Sequence, residues 1–348
     1  MLHIEHVSKD MGEFTLKDIS LEVPQGEYVI IIGPTGAGKT ILLETVAGIY
    51  PPDSGRVCLN GRDITHEEPR NRNICMVYQD YMLFPHLSVH DNISFGLRNR
   101  KLEKPEIERR VEESATLLGI SHLLHRRPDT LSGGEQQRAA IARAIVMEPS
   151  VLLLDEPLSA LDGRTREALR KELQRLHDTL DTTVLHITHN FEEVFSLADR
   201  VAVMNEGEIV QVGAPDEVFR KPNCEFIADF VGVENLFKGM CRLENGNAVI
   251  QTEALSLVST ACTKDGEVFV SVRPEDIMVS KAKPEISAQN VVPGTVCESI
   301  DAGMVMRVVV DAGLPFVVTL TRQAYQDLAI QKGDSVYLLF KAASVHVF

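Results

Sequence analysis

The eight residues Gly33-Pro34-Thr35-Gly36-Ala37-Gly38-Lys39-Thr40 constrain this chain more than any other stretch. They follow an apolar, strand-like run at 28–32 and open into an apolar, helix-like one at 41–49. Strand, glycine-rich turn and helix in that order make a loop whose backbone N–H groups wrap an anion. Gly33, Gly36 and Gly38 let the backbone come close, Pro34, Thr35 and Ala37 complete the turn, and the positive end of the helix adds to the attraction. Lys39 can then reach the outer phosphates of a polyphosphate. Thr40 offers a hydroxyl to a magnesium ion bridging them, because Mg²⁺ takes one or two protein oxygens together with phosphate and water. ATP and Mg²⁺ are the expected cofactors.

The continuous apolar run 151–154 fits a central parallel strand covered on both faces, and it ends in Asp155 and Glu156. Open α/β sheets hold ligands at such strand ends. Asp155 is assigned to the magnesium, directly or through water, and Glu156 to polarising the water that attacks the γ-phosphate. An isolated Asp-Glu-Pro is equally an acidic turn before Pro157, but the phosphate loop makes the pair a catalytic candidate.

Leu131-Ser132-Gly133-Gly134-Glu135, followed by the helix-like 136–146, resembles the signature motif of ABC-transporter ATPases. Gln79, in Val77-Tyr78-Gln79-Asp80, matches that family's Q-loop; the Ser-Ala-Leu-Asp run at 159–162 matches its D-loop; His189, in Ile187-Thr188-His189-Asn190, matches its switch histidine. Singly, these are a surface glutamine, a plain loop and a helix cap; in the family's order they are a set.

The resemblance implies a head-to-tail homodimer in which each ATP lies between the phosphate loop of one subunit and Ser132, Gly133 and Gly134 of the other. It makes Glu156, His189 and Gln79 the catalytic group: His189 stabilises charge on the γ-phosphate and orients the water, while Gln79 senses the metal beside Thr40 and Asp155. Asp162 couples the two sites in trans. Where the family has an adenine-stacking aromatic, this chain has Met11 before Gly12, with Phe14 three residues later; a thioether can also pack on a base. Asn190 stands where the family more often has Asp.

At 348 residues the chain is long enough for two or three domains, and its 44% hydrophobic and 24% charged residues are ordinary for a soluble protein. No apolar run approaches a membrane span and the N-terminus lacks a secretion-signal pattern. Six cysteines without a C-x-x-C pair point to buried thiols in a reducing cytoplasm. A formal charge of −15 argues against a nucleic-acid partner, and Arg98, Arg100 and Lys101 read as a solvated face.

Residues 1 to 80 alternate strand-like segments with turns such as Asn60-Gly61. From about 85 to 145 the pattern is helical, as at 104–118, with Ile107, Val111, Ala115 and Leu118 on one face and Gly119 at its end; this resembles the family's helical subdomain. The stretch 82–96 resembles the face that importer ATPases present to their permease, although Leu83, Phe84, Leu87 and Val89 also suit a core. Beyond 232, short alternating stretches separated by Gly and Pro suggest a small OB-type β-barrel. There, Val272-Arg273-Pro274-Glu275-Asp276 resembles an element of the accessory (TOBE) domain that follows many importer ATPases, and Ser287-Ala288-Gln289-Asn290 and the Lys341-Ala342 end resemble molybdate/tungstate-binding (Mop-like) domains. Ser287, Asn290 and Lys341 would hold a tetrahedral dianion, with Gln289 replacing the family's arginine.

The fold expected is an α/β P-loop NTPase with a helical subdomain over 1–232, followed by a small all-β OB-like (TOBE) domain over 233–348. The function expected is the ATP hydrolase of a molybdate/tungstate importer. It works as a homodimer beneath two copies of a membrane permease, peripheral on the cytoplasmic face, and is supplied by an extracytoplasmic oxyanion-binding protein. Molybdate or tungstate at the C-terminal domain acts as an inhibitory effector. The same ATPase role for sulfate, a polyamine, a sugar or ferric iron stays open, as does a cytosolic oxyanion-binding protein.

Overall fold

In the computed structural model, which describes residues 1–100, 102–180, 182–244, 247–260, 265–283 and 288–348, the chain divides into two units, Met1–Val218 and Phe219–Phe348. Lys101, Cys262 and Ser287 lie outside the described residues. The division falls before the expected boundary at 232, because the segment after Val218 is tied to the end of the chain: His346 Nε2 lies 3.0 Å from the Pro222 carbonyl.

Among the described residues the first unit holds ten strands: β1 (Leu2–Asp10), β2 (Thr15–Val23), β3 (Tyr28–Ile32), β4 (Ser54–Leu59), β5 (Arg62–Asp63), β6 (Ile74–Val77), β7 (Val151–Asp155), β8 (Thr183–Ile187), β9 (Arg200–Asn205) and β10 (Glu208–Gly213). The first sheet runs β2-β1-β4-β5 and is antiparallel. Asn60 and Gly61, both at positive φ, make the tight turn between β4 and β5. The second sheet runs β10-β9-β3-β8-β7-β6, parallel except for β10 at its edge. Every residue of β3, β7 and β8 is buried, which is why 28–32 and 151–154 are apolar without alternation; β8 buries Thr183 and His186 as well.

The phosphate loop's helix, α1 (Lys39–Ala47), buries Leu42, Leu43 and Val46 in one core with Ile4, Leu21 and Val57 of the first sheet and Val29, Leu153 and Leu185 of the second. A helix gripped by two sheets is apolar on more than one face, as the run 41–49 is. Its C-terminus is closed by Arg72, 2% exposed, whose guanidinium donates to the carbonyls of Thr45 and Val46 at 3.1 and 2.9 Å. A Cβ at residue 48 would stand 2.4 Å from the Arg72 Nε, so Gly48 at φ 87° is the residue that fits.

Between β6 and β7 come α2 (Val89–Asn99), α3 (Lys104–Leu117) and α4 (Gly133–Ile145). Ile107, Val111 and Ala115 of α3 are buried, while Arg109 and Arg110 pair with Glu106 on its exposed side. Val89, Ile93 and Leu97 of α2 are core. The preceding segment is surface: Met82 is exposed, and Phe84 lies against the exposed Phe95 at 4.7 Å between centroids, with the Arg143 guanidinium over its ring. The stretch 82–96 thus contributes to both. The unit is completed by α5 (Gly163–Leu180), α6 (Phe191–Leu197) and the start of α7 (Pro215–Arg220).

The second unit, after α8 (Glu225–Phe230), is built on antiparallel β sheets, with one short helix, α9 (Arg322–Asp327), after the strand that ends at Thr321. Its strands are β11 (Asn235–Glu244), β12 (Asn247–Gln251), β13 (Ser256–Ser259), β14 (Gly266–Val272), β15 (Met278–Ser280), β16 (Asn290–Asp301), β17 (Val305–Asp311), β18 (Pro315–Thr321), β19 (Ser335–Phe340) and β20 (Val345–Val347). They form two five-stranded sheets, β13-β12-β11-β14-β20 and β15-β19-β16-β17-β18, around one apolar core. Two buried asparagines fasten the sheets together. Asn235 of β11 bonds both backbone groups of Val317 on β18, and Asn290 of β16 bonds both backbone groups of Val258 on β13.

Among the described residues no helix is long and apolar enough to cross a membrane. The five described cysteines form no disulfide; Cys241 is buried, but Cys297 is exposed.

Candidate active site

The loop leaves β3 at Gly33, where a Cβ would stand 2.2 Å from the Met204 carbonyl oxygen of β9; the absence of a side chain there is a packing requirement. Lys39, buried at the base of the loop, donates through Nζ to the carbonyls of Gly33 and Pro34, each at 2.8 Å. Burial pushes its ammonium below the ordinary lysine value, and the nearby Glu156 and Asp155 carboxylates work against that. Thr40 Oγ1 lies 3.1 Å from Asp155 Oδ2, so the two oxygen ligands proposed for a hard cation meet across α1 and β7. Burial also pushes the Asp155 carboxyl up from its usual range. A cation bridging Thr40 and Asp155 would offset that desolvation, and an oxygen-only donor set suits Mg²⁺.

Glu156 follows directly, at φ 44° in the left-handed region that a residue before proline seldom enters. Its N–H donates to the Ile187 carbonyl at the end of β8, at 2.9 Å, and its carbonyl accepts from the Ser159 hydroxyl at 2.9 Å. The sharp turn brings the carboxylate to 3.3 Å from His189 Nδ1. A carboxylate and an imidazole side by side at the mouth of a phosphate loop can hold and deprotonate a water.

The cleft over the loop is lined by Glu13, Phe14, Thr35, Gly36, Lys39 and Glu156, among others. Phe14 packs on the loop itself: its Cζ lies 2.4 Å from where a Cβ at Gly38 would be. Met11 is 38% exposed and not among the lining residues. The ring nearest the loop is therefore Phe14, which the sequence offered only as the second choice.

The remaining family positions lie on three other elements. Gln79 is exposed on the turn after β6. Ser132 caps α4 in a reciprocal box, its hydroxyl accepting from the Glu135 N–H while Glu135 Oε2 accepts from the Ser132 N–H at 2.7 Å; Gly133 and Gly134 form the first turn. Asp162 accepts from the N–H groups of Arg164 and Thr165, both at 3.1 Å, and the Thr165 side chain first, then these N–H groups, hold its carboxyl below the usual range. It starts α5, a structural duty that the sequence did not reveal.

The chain matches the ABC transporter family over residues 16–159 and the TOBE domain over 286–347. It is 46% identical to the molybdate/tungstate import ATP-binding protein WtpC of Pyrococcus abyssi, across all of both chains. This chain belongs to the ABC-transporter import ATP-binding proteins. Within that family it is also 38% identical to the sulfate/thiosulfate import ATP-binding protein CysA of Bacillus cereus, over 99% of this chain and 98% of that one. Among solved structures it resembles the ATP-binding cassette MJ0796, dimeric and bound to ADP and Pi, with a TM-score of 0.56 and 28% identity over 62% of this chain and 99% of that one. As a member of the family the protein is an ATP hydrolase serving import.

In the TOBE unit, Gln289 and Lys341 are exposed and Ser287 is outside the described residues. Asn290 is 3% exposed and both ends of its amide are taken by Val258.

Proposed function

We propose that this importer ATPase energises uptake of molybdate and tungstate. The observation that carries the substrate is the end-to-end likeness to a molybdate/tungstate import protein, stronger in identity than the likeness to a sulfate/thiosulfate one over the same length. Mg²⁺ is held by Thr40 and Asp155, with Gln79 completing its surroundings. Glu156 activates the water, and His189 orients it and stabilises the γ-phosphate. Ser132, Gly133 and Gly134 complete the site in trans in a homodimer, and Asp162 couples the halves; the dimeric MJ0796 cassette supports that arrangement. Two permease copies dock on the Met82, Phe84 and Phe95 surface, which keeps the subunit peripheral on the cytoplasmic side, and an extracytoplasmic binding protein supplies the anion.

Cytosolic molybdate or tungstate bound by the TOBE unit opposes closure of the ATPase halves. By linkage, trapped ATP then weakens anion binding by the same factor. With Asn290 committed to the sheets, Lys341 and Ser287 are the side chains left to hold that anion.

Calorimetric titration of the purified chain with molybdate, tungstate and sulfate tests this. Micromolar binding of the first two that is lost in Lys341→Ala supports the substrate and the effector site. Preference for sulfate moves the protein to the sulfate importers, and equal anion affinity with and without trapped ATP removes the feedback.

A further inference from the structure

β8 carries a buried polar group that nucleotide chemistry does not use. His186 is 0% exposed and Glu193, on α6, is 2% exposed. The Tyr28 hydroxyl of β3 lies 2.9 Å from His186 Nδ1. On the far side of the ring, Nε2 faces Glu193 Oε2 at 3.6 Å, and among the described residues neither atom has a hydrogen-bond partner. Burying unsatisfied polar atoms costs roughly 1–3 kcal/mol each, so the site calls for an explanation.

What Glu193 touches supplies one. Its N–H donates to the Asn190 carbonyl at 3.1 Å, and the Thr188 side chain beside its carboxyl works against the upward push of burial. Thr188 in turn accepts from the Asn190 N–H at 3.1 Å through its hydroxyl, and its own N–H reaches the Ile31 carbonyl at the end of β3. Both neighbours of His189 are thus fastened to Glu193 or to each other. His189 itself is 65% exposed, so its place depends on the turn that carries it. The residue before Glu193 makes the contrast: Glu192 is 79% exposed and pairs with Arg170 on the surface.

We infer that Glu193 is a positioning residue for hydrolysis, its buried carboxyl fixing the 188–190 turn between His186 and Thr188 so that His189 meets Glu156. The same turn follows Ile187, whose carbonyl receives the Glu156 N–H, so one anchor sets both members of the pair. The inference rests on His189 acting in hydrolysis as proposed above.

ATPase kinetics of the full-length chain test it, with Glu193→Ala, Glu193→Gln and the surface control Glu192→Ala, each made with and without His189→Ala. Glu193→Ala is expected to lower kcat at least about tenfold while the KM for ATP stays within about twofold. Glu193→Gln keeps the shape and an oxygen beside Thr188 and offers an N–H to His186, so it recovers kcat to within about threefold of the parent. Glu192→Ala leaves both constants unchanged. On the His189→Ala background Glu193→Ala adds no further loss, since it acts through that histidine. Parental kcat in Glu193→Ala, or a second tenfold loss on top of His189→Ala, overturns the inference alone. Normal turnover in His189→Ala overturns the proposed role of His189 together with it. If Glu193→Ala does not fold, Thr188→Val removes the hydroxyl that stands beside the carboxyl and accepts from the Asn190 N–H, at constant shape, and an unchanged kcat there is equally fatal.

Discussion

His189 Nδ1 stands 3.3 Å from Glu156 Oε2, across the ends of the adjacent strands β8 and β7. Neither side chain reaches that position from regular structure: Glu156 is turned there by a left-handed backbone and His189 by the turn into α6. Glu156→Gln preserves the shape of the turn but removes the base. Nucleotide titration is expected to give an ATP Kd within about twofold of the parent, while phosphate release falls by about 10²-fold or more. Normal turnover would take Glu156 out of its role.

Phe14 and Met11 are three residues apart, but only Phe14 lines the cleft. Stacking an aromatic ring on a base is worth roughly 1–3 kcal/mol, so Phe14→Ala is expected to weaken ATP binding about tenfold. Met11→Ala should change it by less than about twofold. A larger loss from Met11 in equilibrium titrations would reverse the assignment.

The first unit was largely legible because its constraints are local. A continuous apolar run means a strand covered on both faces, and β3 and β7 formed where such runs stood. The helical stretch ending at Gly119 follows from spacing alone. What sequence did not reveal depends on distant partners. Asn290 looks like a ligand in its motif, yet Val258, far away in the chain, takes both ends of its amide. Arg72 looks like a surface cation, and only the folded chain brings it to the carbonyls closing α1. The left-handed Glu156 leaves no trace in composition, because Pro157 argues for the opposite geometry.

His186 gives stability a pH dependence whose sign follows from its burial. Its ring is pushed down to about 3, whereas the unfolded chain takes up that proton near 6.5. The contribution is complete above pH 6.5 and is lost as pH falls toward 3, at up to about 1.4 kcal/mol per pH unit. Burial also raises the Glu193 carboxyl, which acts in the opposite sense, so the comparison has to be made at one position. Urea unfolding of the parent is expected to lose about 1–2 kcal/mol more between pH 7 and pH 5 than unfolding of His186→Gln. Parallel curves would mean that the ring is accessible to protons in the folded state.

Ser132 has two duties that one substitution can separate. Its hydroxyl begins α4 by accepting from the Glu135 N–H, and in the proposed homodimer the same hydroxyl faces the γ-phosphate of the partner's ATP. Asp and Asn cap helices about as well as Ser, so Ser132→Asp and Ser132→Asn should each keep the melting temperature within a few degrees, roughly 1 kcal/mol. Only Asp brings a negative charge toward the phosphate. On a Glu156→Gln background, where bound ATP persists, Ser132→Asp is expected to abolish the ATP-driven dimer in size-exclusion chromatography, with Ser132→Asn losing far less. A dimer that survives the aspartate would place Ser132 away from the phosphate and leave it only the cap.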